Sequence, residues 1–125
     1  MSEQKIVSID QRDGLLVNVV NQETLDDEST RRMLSEALDG AATARACPVV
    51  LDLSAVAFFP SVSLSALVEL LNTLTKAGQK LILVGLQQDV RESLAITRLD
   101  KLFEIRDDVE AILAHQRRED ASHLD

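Results

Sequence analysis

Two short segments, Val49-Val-Leu-Asp-Leu53 and Leu81-Ile-Leu-Val84, are almost unbroken aliphatic runs. Successive side chains of a strand point to opposite faces of a sheet, so a strand apolar at neighbouring positions must be covered on both sides. Between the two runs, Leu64, Leu67, Val68, Leu71 and Leu74 recur at three- and four-residue steps, which predicts a helix ending before Gly78. Two inner strands joined by a helix imply parallel pairing and an α/β domain.

The flanking sequence extends this pattern. Ile6–Ile9 and Leu15–Val20 are β-branched runs on either side of Asp13-Gly14, a hairpin turn signal. Thr30, Met33, Leu34, Ala37, Leu38 and Ala41 predict a helix from about Asp26 to Leu38, with acidic residues in its first turn and Gly40 as its stop. Asp89 is placed to cap a helix carrying Val90 and Leu94. A strand is expected at Phe103–Ile105, and Asp107 and Glu110 stand at capping-box spacing before a last helix that buries Val109, Ile112 and Leu113. The expected fold is a mixed, mostly parallel sheet of four to five strands with about four helices and an N-terminal hairpin strand. Residues 1–116 form one domain, and 117–125 a polar tail.

Composition removes several function classes. The net charge is −8 with no basic half or stripe, which disfavours phosphate backbones and anionic membranes. Three Phe and no Trp or Tyr leave no stacking platform for bases. No apolar run approaches the ~18 residues of a membrane span, and Met-Ser-Glu-Gln-Lys lacks the pattern of a secretory signal. One cysteine, Cys47, fits a reducing compartment. The expectation is a cytoplasmic protein with no nucleic-acid partner and no direct membrane insertion.

Catalytic constellations are missing as well. The only histidines, His115 and His123, lie at the end of the last helix and in the tail, so neither a Ser-His-acid set nor a typical zinc site is assembled. The four glycines form no dinucleotide or phosphate loop. No cofactor or metal is expected, and no catalytic residue. Cys47 reads as a buried, inert thiol, and Arg117 and Arg118 as solvated helix-end charges. Phe58 and Phe59 cover the sheet end or the base of the next helix, unless one of them is exposed as an interaction anchor.

The most informative segment is Val49 to Val68, a buried strand, a short crossover and a helix whose first turn holds Ser61, Ser63 and Ser65. Ser61 reads either as a simple N-cap or as a hydroxyl at a cluster of unpaired amides that attracts an anion. The segment resembles the STAS domain of bacterial anti-sigma factor antagonists. That family has a strand ending in Asp-Leu-Ser/Thr, then Val-x-Phe-Ile/Met-Asp-Ser-Ser/Thr-Gly-Leu-Gly-Ala-Leu. Asp52-Leu53-Ser54, Val56, Phe58, Leu64, Ala66 and Leu67 match it. The likeness continues through Gly78, the run Leu81–Gly85, and Val90, Arg91, Leu94, Thr97, Leu99, Leu102, Phe103 and Ile105.

The resemblance implies a non-enzymatic module that binds an anti-sigma factor or a related kinase-like regulator and is released by phosphorylation. The alternative is a soluble STAS regulatory subunit of an ABC-type lipid transport complex, and a third reading is an anion or nucleotide sensor at the helix start. The departures fall on the switch. Pro60 replaces the family's Asp, Ser61 takes the first Ser position, Val62 the phosphoacceptor position, and Ser63 the Gly position. Val62 has no hydroxyl to phosphorylate, which leaves Ser61 and Ser63 as the nearest substitutes. The expected partner-binding residues are Gln22, Thr24, Asp26, Phe59, Pro60, Ser61, Val62, Ser63, Leu64 and Gln87.

Overall fold

Asp13 and Gly14 both adopt positive φ, 51° and 82°, the backbone of a two-residue turn whose twist matches that of paired strands. The turn joins β1 (Val7–Arg12) to β2 (Leu15–Val20) in an antiparallel hairpin. In the computed structural model, which describes residues 5–45 and 47–122, the chain continues as α1 (Asp27–Thr43), β3 (Val49–Asp52), α2 (Ser61–Lys76), β4 (Leu81–Val84) and α3 (Gln88–Ile96). A 3-10 turn at Leu99–Lys101, β5 (Glu104–Arg106) and α4 (Val109–Ser122) follow. The five strands lie in the order β1-β2-β3-β4-β5, and every pairing after the hairpin is parallel. This is the expected mixed sheet with four helices.

The central strands are buried on both faces, as their composition requires. One face sends Leu16, Val20, Val49, Leu51, Leu81 and Leu83 into the layer formed by α1, α2 and α3. The opposite face sends Leu15, Val17, Val50, Ile82 and Val84 against Val109, Ile112 and Leu113 of α4. Each such aliphatic side chain, fully buried, is worth about 1.5–3 kcal/mol relative to exposure.

Several expected boundaries are corrected. Gly40 does not stop α1; it lies inside the helix where β1 passes close, and a Cβ there would sit 2.6 Å from Ile9 Cδ1. The end of α1 is satisfied from afar, by Gln79 Nε2 donating to the carbonyl of Ala41 in its last turn at 3.4 Å and to that of the C-cap Ala44 at 3.0 Å. The same amide reaches the Cys47 carbonyl beyond the helix at 3.1 Å. Asp89 is in the first turn of α3, whose N-cap is Gln87. At α4, Asp108 rather than Asp107 accepts the Ala111 N–H, at 2.8 Å. Asp107 instead accepts the Gly85 N–H through its carbonyl at 3.0 Å and holds its carboxylate 3.5 Å from Arg91. Glu110 pairs with Arg12 at 2.7 Å. The last strand begins one residue late, at Glu104. Cys47 is only half-buried, its sulfur accepting from Gln11 Nε2 at 3.3 Å. Arg117 and Arg118 are exposed, but α4 runs past them to Ser122 through residues expected to fray. His123 lies outside the described residues.

Candidate partner-binding face

The segments following β2, β3 and β4 leave the same end of the parallel strands and are tied to one another. The Ala57 N–H donates to the Glu23 carbonyl at 2.8 Å, and Thr24 and Phe58 form an isolated parallel bridge. Gln87 Nε2 donates to the Ser54 carbonyl at 2.8 Å, which fastens the third segment to the second. The crossover itself starts with a tight turn in which Asp52 Oδ1 accepts the Ser54 N–H at 2.9 Å. Gly85 has φ +73°, and an added Cβ would lie 3.0 Å from Ser54 Cβ and 3.1 Å from Asp52 Oδ1. Only glycine satisfies both the left-handed backbone and the close approach. These bonds make three loops into one rigid surface.

The crossover distributes its apolar residues in an order the sequence does not reveal. Val56 and Phe59 are buried, whereas Phe58 is 54% exposed. Phe59, expected on the binding surface, is a core residue, and Phe58 takes its place outside. Pro60 is the N-cap of α2 with extended backbone, φ −70°, and provides no side-chain bond to the helix amides. Ser61 is therefore the first helical residue and not the cap. It is exposed, as is Val62, at 41%. Phe58 and Val62 supply the large exposed hydrophobic surface of this end.

Ser63 points the other way. It is completely buried, and its hydroxyl lies 2.8 Å from the Thr30 hydroxyl of α1, itself 2% exposed. The side chain that replaces glycine thus fills the α1–α2 contact and leaves the outer surface unaltered. A hydroxyl so placed is out of reach of a kinase in the folded protein, so Ser61 is the exposed one of the two candidate acceptors. Leu64 is 8% exposed and borders a groove of about 390 Å³ shared with Ser61, Ser65, Val68, Thr97 and Leu99. Val62 borders a smaller groove of about 210 Å³ on the α1 side.

The remaining expected residues form the rim. Gln22 is half-buried, while Thr24, Asp26 and Gln87 are exposed. Asp26 caps α1, its Oδ1 accepting the Ser29 N–H at 2.7 Å. That backbone bond, with the Ser29 hydroxyl second, holds the Asp26 carboxyl below its ordinary value. Glu23, Asp27 and Glu28 are exposed beside it, which makes this side of the rim acidic. Among the described residues no group of three or more His, Cys, Asp and Glu side chains could hold a metal ion. No helix among them is long and apolar enough to cross a membrane.

The model of the STAS domain family matches residues 7–112. The chain belongs to the STAS domain family. An anti-sigma-factor antagonist (STAS) domain protein from Planctomyces limnophilus superposes with a TM-score of 0.77 at 20% identity, covering 86% of this chain and 96% of that one. An anti-sigma factor antagonist from Mycobacterium paratuberculosis gives 0.75 at 25% identity, over 89% of this STAS chain and 92% of the other. The fold also occurs inside larger proteins. In the murine solute carrier 26 family member A9 anion transporter the match has a TM-score of 0.66 and 16% identity, over 83% of this chain and 18% of the transporter.

Proposed function

We propose that this STAS protein is a non-enzymatic binding module of the cytoplasm that docks an anti-sigma factor or a related kinase-like regulator through the face built on Phe58 and Val62. The observation that carries the reading is the placement of two exposed apolar side chains, Phe58 in the crossover and Val62 in the first turn of α2, where the family resemblance locates its phosphoacceptor. Val62 offers no oxygen to phosphorylate. Ser63 is committed to Thr30.

The chemistry follows from that surface. An apolar centre with a partly acidic rim favours a partner whose own contact is apolar and bordered by Lys or Arg. Phosphorylation would add −1.5 to −2 charges at such a centre and oppose docking. With valine at the central position and Ser63 buried, Ser61 is the candidate hydroxyl left exposed at the helix start. On this reading it is not a kinase target, the face stays in its unmodified form, and binding is set by the amount of partner and not by a phosphorylation cycle. The loop-to-loop bonds at Ala57 and Gln87 support this reading, because a preorganised surface loses little entropy on docking.

The test is affinity capture from an extract of the native organism with three baits: the wild type, Phe58→Ala and Val62→Asp. The proposal expects a regulator of the anti-sigma or serine-kinase class on the wild-type bait and its loss from both variants. Capture of an ATPase subunit of a transporter instead would move the protein to the transport reading. Equal capture of the regulator by all three baits would place the interface elsewhere.

A further inference from the structure

Among the described residues the second face of the sheet is covered by α4, and the two flanks of that helix are closed differently. On the β1 side Arg12 reaches the helix directly, 2.7 Å from Glu110. On the β5 side the charges pair among themselves: Glu104 lies 3.3 Å from Arg106 and 4.0 Å from Lys80. A cleft of about 330 Å³ is left between α4 and this edge of the sheet. Pro48, Ile82 and Ile112 line its apolar side, and both isoleucines are 3% exposed. Lys80, Glu104, Arg106, His115 and Gln116 line the rest.

The balance of charge in the cleft is inverted relative to the chain. Among the described side chains that line it, one carboxylate, Glu104, is shared by two cations, so Lys80 and Arg106 together leave a surplus positive charge in a protein of net charge −8. Arg106 also donates Nη1 to the Ile105 carbonyl at 3.0 Å, which fixes the guanidinium in place. A guanidinium carries five N–H donors in a planar fork suited to an oxyanion, and an ammonium adds a point charge beside it. The volume lies at the small end of ligand sites, about 300–1,000 Å³. Pro48 with the edges of Ile82 and Ile112 makes a small apolar patch in a mostly polar cleft, enough to contact a short hydrocarbon part of a ligand beside its charged group.

We propose that this cleft binds a small organic oxyanion, a carboxylate or phosphate ester carrying an apolar group. Pro48 and Lys80 immediately precede β3 and β4, whereas the partner-binding face follows the opposite ends of the same strands. Ligand and protein partner therefore occupy separate sites, and the proposal stands independently of the docking face.

The experiment is a titration of the isotopically labelled full chain, followed by amide chemical shifts, with benzoate, phenyl phosphate, inorganic phosphate and benzyl alcohol as probes. The expected result is saturable shifts of Lys80, Ile82, Arg106 and His115 with benzoate or phenyl phosphate. Inorganic phosphate should bind more weakly, and benzyl alcohol should not saturate. Lys80→Ala, at a side chain 72% exposed, should keep the fold and weaken binding about fivefold or more. Arg106→Gln should do the same. The proposal would be overturned by no saturable shift with either organic anion, by an equal response to benzyl alcohol, or by undiminished binding in both variants. Saturation by inorganic phosphate as tight as by phenyl phosphate would also overturn it, since the apolar patch would then have no part.

Discussion

The Thr30–Ser63 pair gives the sharpest quantitative expectation. Its hydroxyls are 2.8 Å apart, and the two residues are 2% and 0% exposed. Thr30→Val keeps the shape and removes the oxygen, leaving the Ser63 hydroxyl buried without its partner. A buried polar group left unsatisfied costs about 1–3 kcal/mol, so about 2 kcal/mol is expected for this variant and the same for Ser63→Ala. Removing both oxygens leaves no orphan, and the double variant should lose only about 1 kcal/mol. The resulting coupling of about 2–3 kcal/mol is large for two side chains. Urea denaturation reads it directly: with a slope of about 2 kcal/mol/M, each single variant should move its midpoint down by about 1 M. Additive losses, or a neutral Ser63→Ala, would refute the argument that this serine is a tie between α1 and α2. The same Ser63→Ala protein should capture the partner as well as the wild type.

Two further expectations concern the backbone and the acid side of the stability curve. Arg98 holds φ at 60° just before the 3-10 turn, a left-handed conformation that disfavours a side chain by about 1–2 kcal/mol. Arg98→Gly should gain up to about 1 kcal/mol after the extra freedom of the unfolded chain is subtracted, read as a higher urea midpoint; a lower midpoint would mean that the arginine side chain makes a stabilising contact. The Asp26 carboxyl is held below its ordinary value by the Ser29 amide, so the charged cap stabilises the fold above the unfolded pKa of about 3.9 and that stabilisation is lost as pH falls through the lower folded value. Asp26→Asn, which can still cap, should remove this part of the acid dependence; an unchanged profile below about pH 4 would contradict the assignment.

The sheet was legible because its cause is local in the chain. The continuous aliphatic runs at Val49 and Leu81, the Asp13-Gly14 turn and the three-four spacing from Leu64 to Leu74 each specify an element on their own. The errors fall where a distant residue decides. Gly40 looks like a stop until β1 is placed against it, and only then does the contact with Ile9 explain it. Gln79, an unremarkable polar residue in sequence, satisfies the end of α1 from more than thirty positions away. Asp107 and Asp108 exchange roles because Gly85 and Arg91 engage the first of them.

The candidate site shows the same division. The motif around Asp52-Leu53-Ser54 marks where the candidate face is expected, but which of its side chains the fold exposes is not readable there. Of two adjacent phenylalanines the sequence offers no reason to bury Phe59 and expose Phe58; the bridge between Thr24 and Phe58 sets that choice. Ser63 looked like an available hydroxyl because its partner, Thr30, is thirty-three positions upstream.

The most direct test of contact without phosphorylation is to hold the purified complex with its kinase-type regulator in the presence of ATP and follow both phosphate incorporation and release. The wild type should take up no phosphate and stay bound, while Val62→Ser should be phosphorylated at that position and dissociate. Phosphorylation and release of the wild type, or a Val62→Ser protein that carries phosphate and remains bound, would contradict the account.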